Sequence, residues 1–80
     1  MRLDKFLKIS RIIKRRTVAK EFADNGRVLI NGRPAKSSTS VAIGDIMELQ
    51  FGEKTMKIKV LDIKETTKKN ESADMFEEIV

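Results

Sequence analysis

The sequence predicts an α+β fold, two short helices followed by a small antiparallel sheet, and three observations carry that prediction. Apolar residues recur at helical spacing over residues 3 to 7 and again over 18 to 23. The period changes to two from Val28, and the dipeptides Asn31-Gly32 and Gly44-Asp45 mark turns in that second half of the chain. A chain of 80 residues holds one domain, and without a single Cys it has neither disulfides nor thiolate metal ligands to supplement a small core.

Leu3, Phe6 and Leu7 stand at i, i+3 and i+4, which predicts a first helix from Asp4 to about Ile9 with Arg2, Lys5 and Lys8 outside. Val18, Ala19, Phe22 and Ala23 form the stripe of a second, opposite Lys20, Glu21 and Asp24. Thr17 is its expected N-cap, although Lys20 stands where a capping box needs Glu or Gln. Asn25-Gly26 ends it, because Gly reaches the left-handed conformation without a Cβ penalty.

Val28 and Ile30 alternate across Leu29, and the next dipeptide, Asn31-Gly32, suits a type I′ hairpin. Arg33 to Lys36 returns as a partner strand, short or at an edge because Pro34 cannot donate to a ladder. Ser37 to Ser40 reads as loop. Gly44-Asp45 opens a second hairpin, Ile46 to Phe51 against Thr55 to Ile63 across a Gly52-Glu53-Lys54 turn. Met47, Leu49 and Phe51 form one inward face and Met56, Ile58 and Val60 the matching one, while Leu61 and Ile63 fall in the opposite phase, which suggests a bulge or a two-sided strand end. The folded domain is expected over 1–63, with 64–80 a flexible acidic tail. Within the tail Met75, Phe76, Ile79 and Val80 offer one side of a helical turn or a docking segment, and its acidity offers a screen for the basic half.

The net charge of +5 is unevenly spread. Residues 1–36 carry eleven Lys or Arg against Asp4, Glu21 and Asp24, residues 37–64 are neutral, and residues 65–80 come to −3. A basic half beside a neutral scaffold points to a polyanion, with nucleic acid the leading partner. No apolar run reaches the roughly 18 residues that cross a bilayer, so a soluble, cytoplasmic protein with no membrane partner is expected.

Catalytic constellations are scarce, since His, Cys, Trp and Tyr are all missing. Ser37, Ser38 and Ser40 have no plausible base nearby, and Glu77 and Glu78 lie in the tail. The glycines punctuate regular elements instead of forming a phosphate loop. No enzyme, metal or cofactor is expected.

The basic cluster Lys14-Arg15-Arg16 is different. It precedes the second helix, where unpaired N–H groups, a partial positive charge and planar guanidinium donors all suit phosphate oxygens. Lys8 and Arg11 lie about one turn before it, and Lys20 one turn beyond. Solvated charge on an amphipathic helix pair is the alternative, but eight net positive charges in the first 36 residues are easier to hold with phosphate among them. Asp4 has two readings, N-cap of the first helix or orienting partner of Arg2, Arg15 or Arg16, and both can hold. Lys36 is ambiguous. Phe6 and Phe22 stand at core spacing, so recognition by shape and phosphate is favoured over base stacking.

The order Arg2-Leu3-Asp4-Lys5-Phe6-Leu7, Arg16-Thr17-Val18-Ala19, Gly26-Arg27-Val28-Leu29-Ile30-Asn31-Gly32 and Gly44-Asp45 resembles the αL RNA-binding motif of the ribosomal protein S-four type, over about residues 1–63. The resemblance implies two helices packed on a small, bent antiparallel sheet. Among free-standing members the chain is similar to the bacterial heat-shock protein fifteen group and its short Gram-positive branch, the RqcP group, with Arg11-Ile12-Ile13-Lys14-Arg15-Arg16 carrying the likeness. By that resemblance the partners are the large ribosomal subunit, its rRNA and a P-site tRNA, steadied while RqcH on the same particle adds alanine. The chain then acts as a monomeric clamp and not a catalyst. Arg2, Asp4 and Arg16 match the family's functional positions, and Lys5, Lys8, Arg11 and Arg15 extend the face. The competing expectations are a structural or assembly protein of rRNA and a protein-interaction adaptor.

Overall fold

The computed structural model describes residues 1–64 and 72–79. Helix α1 (Leu3–Ile9) buries Leu3, Phe6, Leu7 and Ile9, the face its spacing dictates. Helix α2 (Arg16–Asp24) buries Ala19 and Ala23, whose small side chains let it approach closely. Strands β1 (Val28–Ile30), β2 (Arg33–Pro34), β3 (Ile46–Phe51), β4 (Lys54–Val60) and β5 (Phe76–Glu78) form one sheet in the order β2-β1-β3-β4-β5. Every neighbouring pair is antiparallel.

The sheet turns one face to the helices. Val28 and Ile30 of β1, Met47 and Leu49 of β3, and Ile58 and Val60 of β4 join the apolar residues of α1 and α2 in one buried cluster. Register makes this consistent. Val28 lies opposite Leu49, Ile30 opposite Met47, and Met47 in turn opposite Ile58, so partners share a face across three strands. Leu29, Glu48 and Lys57 align on the other face.

The β1–β2 turn obeys its sequence. Asn31 and Gly32 both take positive φ, 53° and 81°, and β2 lies at the sheet edge where Pro34 leaves no ladder bond unmade. Asn31 also ties the two hairpins together. Its Nδ2 donates to Asp45 Oδ1 at 3.0 Å, and its Oδ1 accepts the Ile46 N–H at 2.9 Å.

Several expectations are corrected. The first helix starts at Leu3, with Arg2 in the N-cap position and no side chain capping it. Asp4 is therefore inside the first turn and is not the cap. Thr17 is likewise the second residue of α2, because helical geometry already begins at Arg16, with Arg15 in an N-cap position that no side chain caps. β4 begins one residue early at Lys54 and ends at Val60, with Leu61 41% exposed. Phe51 does not join the interior. It stands 38% exposed at the end of β3, its ring stacked on half-buried Phe22 at 4.9 Å between centroids.

The flexible tail is corrected over residues 72–79, and the part of it over 65–71 lies outside the described residues. Ser72–Met75 forms a 3-10 turn and Phe76–Glu78 adds the fifth strand beside β4. Met75 is fully buried, and its carbonyl accepts the N–H groups of Leu61 and Asp62 at 2.8 and 3.2 Å. The polarity of the segment hides this outcome. An edge strand of three residues gains its backbone bonds from β4 and needs only Met75, and part of Phe76, to hold it by burial.

Candidate nucleic-acid interface

Asp4 organises the basic side of the molecule. It is 2% exposed, and its two carboxylate oxygens accept from three residues. Oδ1 takes the Lys5 N–H at 2.8 Å, Arg2 Nε at 3.2 Å and Arg16 Nη2 at 3.4 Å, while Oδ2 takes Arg2 Nη2 at 3.1 Å. The ion pairs leave the arginines only half covered, with side-chain exposures of 50% for Arg2 and 46% for Arg16. Each guanidinium thus turns one edge to the buried carboxylate and keeps its remaining donors toward solvent. One negative charge beneath two positive ones leaves the surface cationic and holds both planes in place.

The chain fixes this arrangement from below. The Leu3 N–H donates to Thr39 O at 2.8 Å and the Asp4 N–H to Ser37 O at 3.1 Å, so the loop after β2 closes the start of α1 in place of a side-chain cap. Arg2 and Ser40 add an isolated antiparallel bridge. That loop is held in turn by the end of α2. Asp24 accepts the Ser37 N–H at 2.9 Å and the Ser37 hydroxyl at 3.1 Å. The Ser37 bonds, backbone first, hold the Asp24 carboxyl below the usual carboxylate range, helped by Lys20 and Lys36. A continuous path of hydrogen bonds therefore runs from Asp24 through Ser37 to Asp4.

Sequence reasoning missed Asp24 and Ser37. Their separation of thirteen residues leaves no local signal. Ser37 also has a carboxylate beside it after all, contrary to expectation. That carboxylate is stabilised in its ionised form, which makes it a poor base, and buried Ser37 serves as a tether.

The predicted basic residues fall into three groups. Arg2 and Arg16 gather on Asp4, with half-buried Lys5 beside them in the first turn of α1. Lys8, Arg11, Lys14 and Arg15 are exposed along the end of α1 and the connection to α2. Lys20 and Lys36 instead sit near Asp24 at the other end of α2. Lys36 Nζ donates to the Asp24 carbonyl at 3.3 Å, a contact with the helix C-terminus where a cation is favoured, and Lys20 lines a shallow depression with Thr17, Glu21 and Asn25. Arg16 of the Lys14-Arg15-Arg16 cluster thus converges with Arg2 on one carboxylate, while Lys14 and Arg15 stay exposed on the adjoining connection. No described helix is long and apolar enough to cross a membrane.

The comparisons with known proteins agree with this architecture. The family model described as "S4 domain" matches residues 1–46. A Streptococcus pneumoniae protein named "RQC P-site tRNA stabilizing factor" is 58% identical over 77 residues, 96% of this chain and 88% of that relative. A Bacillus subtilis protein of the same name is 57% identical over 76 residues, 95% of this chain and 88% of the relative. The trimeric structure of Vibrio cholerae Heat Shock Protein 15 superimposes with a TM-score of 0.90 at 32% sequence identity, covering 99% of this chain and 81% of that one.

Proposed function

The chain belongs to the S4 domain family, among the RQC P-site tRNA stabilizing factors, and from that premise we propose that it grips RNA on stalled large ribosomal subunits through the Asp4-centred arginine pair. Its role is in ribosome-associated quality control. It steadies the peptidyl-tRNA in the P site while RqcH, on the same particle, extends the nascent chain with alanine. The protein supplies no chemistry of its own. It works in the cytoplasm as a monomer lying between large-subunit rRNA and the tRNA.

The observation that carries this reading is the geometry around Asp4. Two half-exposed guanidinium groups, oriented by one buried carboxylate, offer planar donors to phosphate oxygens with little side-chain freedom left to lose. Arg15, Lys5, Lys8 and Lys14 widen the field around that pair, and Lys20 and Lys36 form its more distant margin. The exposed charges act through phosphate and shape, since Phe6 is fully buried and Phe22 is engaged with Phe51.

The test is sedimentation of tagged full-length chain from cells with stalled translation. It should co-migrate with large subunits that carry tRNA, and Arg16→Ala should weaken this by about tenfold while thermal stability changes little, because half-exposed ion pairs contribute about 1 kcal/mol or less. Equal binding to tRNA-free subunits would favour a structural role on rRNA. Association that survives RNase and ignores Arg16→Ala would instead make the chain an adaptor between proteins.

A further inference from the structure

Arg2 and Arg16 reach the Asp4 carboxylate from different parts of the chain, one just before α1 and the other as the first residue of α2. Helix α1 secures the Arg2 backbone only through its carbonyl, which accepts the Phe6 N–H at 3.0 Å, and no side chain caps the helix there. The rest of the hold comes from the loop after β2. The Val41 N–H donates to Met1 O at 2.8 Å, the Leu3 N–H to Thr39 O at 2.8 Å and the Asp4 N–H to Ser37 O at 3.1 Å, with Ser40 bridged to Arg2 among them. The loop therefore runs beside residues 1–4 as a splint.

The splint is itself fixed in two ways. Its turn closes on itself, Lys36 N–H to Thr39 Oγ1 at 2.9 Å and Thr39 N–H to Lys36 O at 3.0 Å, with Ala35 and Val41 buried on either side. Sideways it is tied to α2 by the two bonds from Ser37 to Asp24, at 2.9 and 3.1 Å. Asp24 is the last residue of α2 and Arg16 is the first. One helix, about 12 Å from first to last Cα at about 1.5 Å per residue, thus carries one guanidinium at its start and, at its end, the anchor of the loop that holds the other. Ser37 is 4% exposed, too deep to touch RNA, and Asp24 is a carboxylate, which phosphate avoids. Whatever the pair contributes to binding passes through the arginines.

We propose that Asp24 and Ser37 are positioning residues for RNA binding, locking the loop that splints Arg2 to the helix that bears Arg16 and so setting the spacing of the two guanidinium groups. The inference rests on the RNA-gripping reading above and gives that site a support at the opposite end of α2. It also reverses what charge alone predicts. Asp24 stands near Lys20 and Lys36, so removing its negative charge should strengthen phosphate binding if the residue acted only through the field. As a positioning residue its loss weakens binding instead, and only where Arg2 is present to be misplaced.

The experiment titrates full-length chain onto purified large subunits carrying peptidyl-tRNA, at a temperature where circular dichroism shows the variants folded. The chains are wild type, Arg2→Ala, Arg16→Ala, Asp24→Ala, Ser37→Ala and Arg2→Ala combined with each of the last two. Asp24→Ala should bind about fivefold more weakly than wild type, and Ser37→Ala, which keeps the charge and the backbone bond, about threefold more weakly. In the Arg2→Ala background neither substitution should weaken binding further. Binding by Asp24→Ala as tight as wild type or tighter would leave only the field and overturn the positioning role. An equal loss in both backgrounds would overturn it as well, since a merely loosened fold does not depend on Arg2. Should Asp24→Ala fail to fold, Ser37→Ala with and without Arg2 decides the same question. If Arg2→Ala and Arg16→Ala both bind like wild type, the Asp4-centred interface falls and the positioning role with it.

Discussion

Asp4 is buried, and donors from three residues, two of them through guanidinium groups, face its carboxylate within 3.4 Å. Replacing one oxygen by an amide keeps the volume and turns a donor toward the Arg2 fork. Asp4→Asn should therefore lower stability by about 1–2 kcal/mol in urea denaturation, a modest loss because both arginines are half exposed. It should weaken subunit binding more than either arginine substitution alone, since both guanidinium planes lose their guide. Lost stability with an unchanged binding curve would show that Asp4 merely supports packing. The sequence offered both roles for Asp4 and put capping first, whereas the structure supports only the orienting one. Capping depends on whether helical dihedrals begin at residue 3 or 5, and orientation depends on Arg16 arriving from another helix. Only the second is read from contacts twelve residues apart.

The elements supporting that centre give two further expectations. The Asp24 carboxyl ionises more readily folded than unfolded, where its ordinary value is 3.8. Its contribution is thus complete above that value and disappears as the pH falls through the lower folded one. Wild type should be more stable than Asp24→Asn at neutral pH, and the two denaturation midpoints should converge as acid protonates the carboxyl. A constant gap down to the most acidic conditions would mean that the Ser37 bonds do not depend on ionisation. At the far edge, Met75→Ala empties a fully buried site and should cost about 2–3 kcal/mol. Hydrogen exchange should quicken at the Leu61 and Asp62 amides, which donate to the Met75 carbonyl. If those amides keep wild-type protection, β5 is not held by Met75. Helices and hairpins were legible because each announces itself within about seven residues through periodicity or a turn pair. β5 was not, because Met75, Phe76, Ile79 and Val80 stand at a spacing that suits one side of a helical turn and carries no alternation of period two.

Across the whole molecule the basic residues and the core are distributed differently. Cations concentrate in the first 36 residues, whereas the buried cluster draws on Leu3 to Val60 and again on Met75. The segment that matches the family model ends at residue 46 and so lacks Met47, Leu49, Ile58 and Val60, the core residues of β3 and β4. A peptide of residues 1–46 should therefore be largely unfolded by circular dichroism and should lose the subunit binding of the full chain, even though it contains every predicted contact residue. Tight binding by an unfolded peptide would mean that charge alone, without the arranged arginines, accounts for the affinity.

The order of residues alone was enough for the two helices, the two hairpins with their left-handed Asn31-Gly32 corner, the concentration of positive charge and, through the succession of motifs, the family. Periodicity, turn stereochemistry and composition are all local or additive properties. Packing settled which cations lie together: Arg2 with Arg16 on Asp4, Lys20 and Lys36 near Asp24, and Arg11 apart on left-handed backbone. It also turned the end of an acidic tail into a fifth strand. A hydrogen bond or buried contact between distant segments is set by where the packed elements bring them, and neither residue carries a mark of its partner.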